Sequence, residues 1–140
     1  MNFRVLHYPV LDSTNTLAIK LSNDGAEEGT VVVTDHQTSG RGQFDRKWVS
    51  AKGKDLLFSV LLRPKLSASA APILTHVAAS SVAGVLESKY QIPAKLKKPN
   101  DVMVNGRKIC GILTESSGKK GRLDHVVVGI GLKKSQRQLI

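Results

Sequence analysis

The stretch Asp101-Val102-Met103-Val104-Asn105-Gly106-Arg107-Lys108-Ile109-Cys110-Gly111-Ile112-Leu113-Thr114-Glu115 reads as two apolar-rich segments joined by Asn-Gly. Asn and Gly accept the positive φ values that a type I′ turn demands, and such a turn matches the twist of paired strands. The segment therefore predicts an antiparallel hairpin, Asp101–Val104 against Arg107–Glu115. A second turn, Gly118–Gly121, leads into the strand Leu123–Ile130, so this part of the chain reads as antiparallel sheet.

Upstream, Ala94–Lys98 reads as a short strand. The segment Ala71–Tyr90 sets Ile73, Leu74, Val77, Ala78, Val82, Val85 and Leu86 at three- and four-residue spacings, an amphipathic helix. Asp55–Leu62 is a strand stopped by Pro64. Gln37–Trp48 has neither helical nor strand periodicity and reads as a long loop, preceded by the β-branched buried strand Thr30–Asp35. Near the N-terminus, Arg4–Val10 reads as a strand. Asp12-Ser13-Thr14-Asn15 then offers N-cap side chains to a helix carrying Leu17, Ala18 and Leu21. This order predicts an α+β fold: a mixed, mainly antiparallel sheet with helices packed on one face.

A chain of 140 residues is one modest domain. Its 41% hydrophobic and 23% charged residues suit a folded protein and exclude a disordered one. The only thiol, Cys110, rules out an internal disulfide, fits a reducing compartment such as the cytoplasm, and reads as a small buried hydrophobe between Ile109 and Gly111. The longest apolar runs, Val31–Val33, Leu56–Leu62 and Val126–Ile130, fall far short of a membrane span, so no membrane partner is expected. His7, His36, His76 and His125 lack metal-ligand spacing, and a protein-held transition metal is not expected. The net charge of +10 suits nucleic acid, an anionic small substrate or an acidic protein; with aromatics at 4%, no stacking platform for nucleic acid is present and none is expected as partner. Lys133–Ile140 breaks the apolar pattern and reads as a basic tail, leaving residues 1–132 as the domain.

Two segments carry chemistry. In Gly40-Arg41-Gly42 through Arg46-Lys47-Trp48 the glycines permit tight turning and close approach to a ligand, while Arg41 and Arg46 bring guanidinium forks suited to carboxylate or phosphate. In Lys97-Lys98-Pro99-Asn100-Asp101, Pro99 fixes a strand entry, and pairing of the hairpin would bring Asn100 and Asp101 near Lys108. Taken singly, the first also suits a solvated turn, and the second suits ordinary hairpin chemistry.

In order and spacing, five motifs of this chain resemble the signature of the biotin–protein ligase family: Ser13-Thr14-Asn15, Gly40-Arg41-Gly42 to Trp48, Lys97 to Asp101, Lys108 to Leu113, and Gly129-Ile130-Gly131. The resemblance covers residues 1 to about 132. It implies the biotin/lipoate ligase-like catalytic fold and activation of biotin by ATP to biotinyl-5'-AMP. The biotinyl group then passes to a lysine of a biotin carboxyl carrier protein domain. It further implies that Lys108, Arg41 and Arg46 are catalytic cations, and that Ser13, Thr14, Asn15, Gln37, Gly40, Gly42, Trp48, Asn100, Asp101 and Gly111 surround biotin and the adenylate. Mg²⁺ would arrive with ATP and lie near Asp101.

The chain departs from the family pattern at Gln43 and Asp45, where Arg and Gly are usual, at Lys98, where Trp is usual, and at Lys133, where Asn is usual. The family continues past the Gly-Ile-Gly strand, so the chain is expected to be incomplete at its C-terminus and its ligase activity weaker than that of a full-length member, with a truncated, catalytically weak or inactive relative as the alternative. The family's optional DNA-binding domain is not expected ahead of Met1. A lipoate- or octanoate-handling enzyme is the rival within the fold, and a biotin-binding module without turnover the rival outside enzymes. The strand Leu123–Ile130 is apolar on both faces with little chain following to cover it, so an exposed apolar surface, homo-oligomerisation or marginal stability is expected.

Overall fold

The computed structural model describes residues 1–98 and 100–134. One sheet of seven strands runs through it, in the order β1-β2-β3-β7-β6-β5-β4. The strands are β1 (Arg4–Leu11), β2 (Thr30–Gln37), β3 (Asp55–Leu62), β4 (Lys95–Lys97), β5 (Asp101–Val104), β6 (Arg107–Lys119) and β7 (Arg122–Lys133). Only β1 and β2 run parallel, because the helix α1 (Thr14–Asn23) carries the chain back between them; every other pair is antiparallel. The α+β class and the mixed, mainly antiparallel sheet stand as the sequence predicts.

Both predicted tight turns form. Asn105 and Gly106 have φ of 52° and 75°, and Lys120 and Gly121 have 54° and 77°, the paired left-handed residues of type I′ geometry. The strand Asp55–Leu62 and the helix α2 (Ala71–Tyr90) occupy the residues that periodicity assigns them. Ser13 proves to be the N-cap of α1, its hydroxyl accepting from the Thr16 amide.

The helices do not share a face. Along β7, Val126 and Val128 pack into one cluster with Ala79 and Leu86 of α2, whereas Val127 packs with Ala18 of α1, Val32 and Leu61. Neighbouring residues of a strand point to opposite sides, so α1 lies on one face of the sheet and α2 on the other. Residues from His125 to Gly129 are consequently buried from both sides by elements earlier in the chain, and the exposed surface expected along β7 is absent. Exposure appears elsewhere. α2 covers the sheet from β4 to β7 but not β1 to β3, and Val31, Val33, Phe58 and Val60 on that side are only half-buried, while Val32, Leu57, Ser59 and Leu61 on the α1 side are buried.

The helix α2 is less amphipathic than its spacing suggests. Leu74, Ala78, Val82 and Leu86 meet the sheet, but Ile73, Val77 and Val85 face outward. With a preceding 3₁₀ turn, Ala68–Tyr90 is by length and composition apolar enough to cross a membrane, which the short apolar runs do not reveal; here one side of it rests on the sheet. Lys133 belongs to β7 and not to a tail, and the remainder of the predicted tail from residue 135 lies outside the described residues, as does Pro99.

Candidate functional site

The sheet face that carries α1 is left open beyond that helix's N-terminus, and a cleft forms there. It encloses about 730 Å³ counting its open mouth. Its floor is glycine. Gly111 and Gly131 are direct partners across β6 and β7, and the Trp48 indole lies on both: a methyl group at Gly131 would meet Trp48 Cε2 and Cζ2 at 2.7 and 2.8 Å, and one at Gly111 would meet Cζ3 at 2.9 Å. At Gly129 the side chain of Asn15 occupies the space that a Cβ would need. Both glycine motifs are thus explained by close approach of a large side chain to the sheet.

Lys108 reaches this face through a bulge. Val102 pairs with Cys110 but Met103 pairs with Lys108, so Ile109 is an extra residue on β6. With strict alternation Lys108 would share the side of Cys110, against α2. The extra residue turns it over to the side of Gly111, where its ammonium lies 3.0 Å from Asp101 Oδ1. That contact is an ion pair without hydrogen-bond alignment, and Asp101 Oδ1 is buried with no hydrogen bond among the described residues. Cys110, on the other side, is buried; burial pushes its thiol to about 12, with Lys108 lowering and Asp101 raising it, so it is no nucleophile.

The N-terminus of α1 forms another wall. The Thr14 amide donates to Gln37 Oε1 at 2.8 Å, leaving the Gln37 amide nitrogen as a donor. Ser59 Oγ lies 2.7 Å from Thr14 Oγ1 and 2.5 Å from Asn15 Oδ1. Asn15 spends both N–H donors on the Leu113 carbonyl and Glu115 Oε1, at 3.1 and 2.9 Å, and therefore braces the wall. The Asn100 side chain likewise ties the entry of β5 to the Ile112 carbonyl.

The predicted loop Gln37–Trp48 has structure. Arg41 bridges Lys47, the Trp48 amide donates to the Gly40 carbonyl, and the Gly42 amide donates to the Arg46 carbonyl, making a small tongue whose tip residues Phe44 and Asp45 have φ of 53° and 62°. Asp45 therefore takes a left-handed conformation at the position where the sequence pattern led us to expect Gly. Gly40 lies buried at the tongue's base, where a Cβ would strike the Trp48 carbonyl at 2.5 Å.

Of the residues singled out from sequence, Ser13, Thr14, Asn15, Gln37, Arg41, Gly42, Arg46, Trp48, Asn100, Asp101, Lys108 and Gly111 all line this cleft; Gly40 shapes it from behind. Arg41 is already engaged, 2.8 Å from Glu115 Oε2 and 3.1 Å from Thr16 Oγ1. Arg46 has no ion-pair partner among the described residues. Sequence reading missed Glu115 and Ser59. Burial pushes the Glu115 carboxyl up, but hydrogen bonds from Arg41 and Asn15 and the charge of Arg41 outweigh it and hold the group below its ordinary value. The one available signal for Ser59 is a lone hydroxyl inside the apolar run Leu56–Leu62.

The comparison with known proteins agrees with this architecture. Residues 7–133 match the model of the biotin/lipoate A/B protein ligase family. The chain is 39% identical over 137 residues to the bifunctional ligase/repressor BirA of Bacillus subtilis, covering 98% of this chain and 42% of that protein. It is 41% identical over 123 residues to the biotin–[acetyl-CoA-carboxylase] ligase of Paracoccus denitrificans, covering 86% and 50%. Among solved structures, the biotin protein ligase of Aquifex aeolicus in complex with biotin and ATP superposes with a TM-score of 0.76 at 35% identity, over 98% of this chain and 55% of that one. The chain thus spans about half the length of these relatives. With its motifs converging on one glycine-floored cleft and a family match along nearly its whole length, the chain belongs to the biotin/lipoate A/B protein ligase family.

Proposed function

We propose that this chain carries the biotin-activating core of a biotin–protein ligase. It binds biotin and ATP and joins them as biotinyl-5'-AMP. The biotinyl group then passes to a lysine of a biotin carboxyl carrier protein domain. The observation that carries the reading is the bulge that places Lys108 beside Asp101 at the end of a cleft walled by Trp48, Gln37 and the α1 N-terminus.

In the first step an oxygen of biotin's carboxylate attacks the α-phosphorus of ATP, a mixed anhydride forms, and the bond to pyrophosphate breaks. Two anions must approach, and a fixed ammonium between them lowers the barrier because it needs no reorganisation as charge develops. Lys108 is that ammonium, with Arg46 as a second cation at the mouth. Arg41, held by Glu115 and Thr16, stiffens the tongue beside it. Mg²⁺ carried by ATP would neutralise phosphate charge, and Asp101, the one carboxylate lining the cleft among the described residues, is the residue that would hold it. Biotin's ureido ring offers one acceptor and two donors. The Gln37 amide nitrogen and the Ser13 hydroxyl, both on the cleft, suit those groups, and Trp48 suits the apolar part of the ligand. In the second step the acceptor lysine's amine attacks the acyl carbon and AMP leaves.

Relatives named for biotin and ATP support this reading, as does the buried single thiol, which suits a cytoplasmic protein. A second reading, a biotin-binding chain with little turnover, is favoured by the half-length coverage. Biotin-dependent exchange of labelled pyrophosphate into ATP separates them without any carrier protein. Exchange driven by biotin and not by lipoate is expected, weaker than in a longer relative. Biotin binding without exchange would leave the binding module, and exchange driven better by lipoate would overturn the ligand assignment.

A further inference from the structure

Lys133, the last residue of β7, has no part in the chemistry above, yet its ammonium makes three contacts at once. It donates to Asp55 Oδ2 and to the Val49 carbonyl, each at 3.1 Å, and lies 4.7 Å from the centroid of the Trp48 ring. Asp55 is only 4% exposed and stands directly opposite Lys133 in the β3–β7 register, so the carboxylate is anchored in the sheet. Val49 and Trp48 belong to the returning arm of the tongue, which is exposed over most of its length. The indole N–H of Trp48 is buried without a hydrogen-bond partner among the described residues, so none of them sets the ring's orientation through a polar bond to it. What holds it is the glycine floor at Gly111 and Gly131, with the two ammonium groups of Lys133 and Lys108 close by, the latter at 5.7 Å.

We propose that Lys133 is a positioning residue that clamps the tongue to the sheet. By tying the Val49 carbonyl and the Trp48 ring to buried Asp55, it keeps Trp48 in place as the apolar wall of the ligand cleft before any ligand arrives. The effect on ligand binding rests on the reading that this cleft takes biotin; the clamp itself does not.

Trp48 is the only tryptophan in the chain, so its fluorescence reports the clamp directly. Lys133→Met keeps an apolar stem and removes the charge. In this variant, with native circular dichroism, acrylamide should quench Trp48 roughly twofold or more as efficiently, and biotin should bind about tenfold more weakly, because a wall no longer ordered in advance must be ordered by the ligand. Lys133→Arg, whose fork also pairs with a carboxylate, should restore both readings. Asp55→Asn should reproduce the Met variant, and it decides the matter if Lys133→Met does not fold. Unchanged quenching in a folded Lys133→Met protein overturns the clamp. Increased quenching with unchanged biotin affinity overturns its role in binding. If the unaltered chain takes up no biotin, the ligand assignment fails, while the quenching comparison still decides the clamp.

Discussion

At the scale of single residues, Lys108 owes its position to Ile109, the extra residue that turns it from the α2 side of the sheet to the cleft. Lys108→Ala should therefore leave the fold intact while costing about 10²–10³ in biotin-dependent pyrophosphate exchange, the usual loss for one preorganised charge-stabilising group; a folded variant with near-normal exchange would remove Lys108 from the chemistry. Gly131→Ala tests the floor. Its methyl would stand 2.7 Å from Trp48 Cε2, so the indole must lift or the strands must part, at about 1–3 kcal/mol. A red shift of Trp48 emission together with a lower melting temperature is expected. Glu115 bears on pH. Its folded carboxyl titrates below the ordinary value of 4.5, so the stability it confers is present above that value and lost as pH falls through the lower folded one. Melts of the native chain and of Glu115→Gln should accordingly diverge near neutrality and converge in acid. The types and order of Lys108, Asp101, Gly111 and Trp48 are legible in the sequence, but Glu115 and Ser59 are not, because only folding brings them beside Asn15 from strands far away in the chain.

Among elements, α1 matters most to the cleft, since its N-terminus is a wall of it. Its other end is held by Arg63, just past β3, whose guanidinium donates to the Ser22 and Ala26 carbonyls at 3.0 and 2.8 Å. Carbonyls at a helix C-terminus lack partners within the helix, and a charged donor is a strong substitute. Arg63→Ala should destabilise the chain by about 1–3 kcal/mol, measured by urea unfolding, and weaken ligand binding secondarily through Thr14. No loss of stability would mean that water serves those carbonyls equally well. The strands and helices themselves were readable from period and turn residues, since 3.6- and two-residue spacings are local properties. The tongue was not. Its hairpin depends on Phe44 and Asp45 adopting positive φ, which Asp favours only weakly and Phe does not announce at all.

For the molecule as a whole, the consequence lies in the helices being on opposite faces. The α2 side of β1 to β3 is left open, with Val5 62% and Leu56 37% exposed and Val31, Val33, Phe58 and Val60 half-buried between them. A continuous apolar face of this kind marks an interface or an aggregation liability. The isolated chain is therefore expected to self-associate with rising concentration in sedimentation experiments, and Leu56→Glu, on that face, should reduce the association. A monodisperse monomer with a sharp, high-temperature melt would show instead that the open face is tolerated.

Sequence by itself determined the class of fold, the two tight turns and the long helix, because periodicity and turn chemistry depend on residues near one another in the chain; the resemblance to the ligase family pointed to twelve of the residues that line the cleft. Tertiary structure alone decided which side of the sheet each helix covers, that β7 is central and buried, and that Lys133 is a strand residue facing Asp55 and Trp48. Those outcomes turn on strand order and on which partners each strand meets. Alternation along a strand is the same whichever way it is turned, so only the partners it meets choose between its two faces.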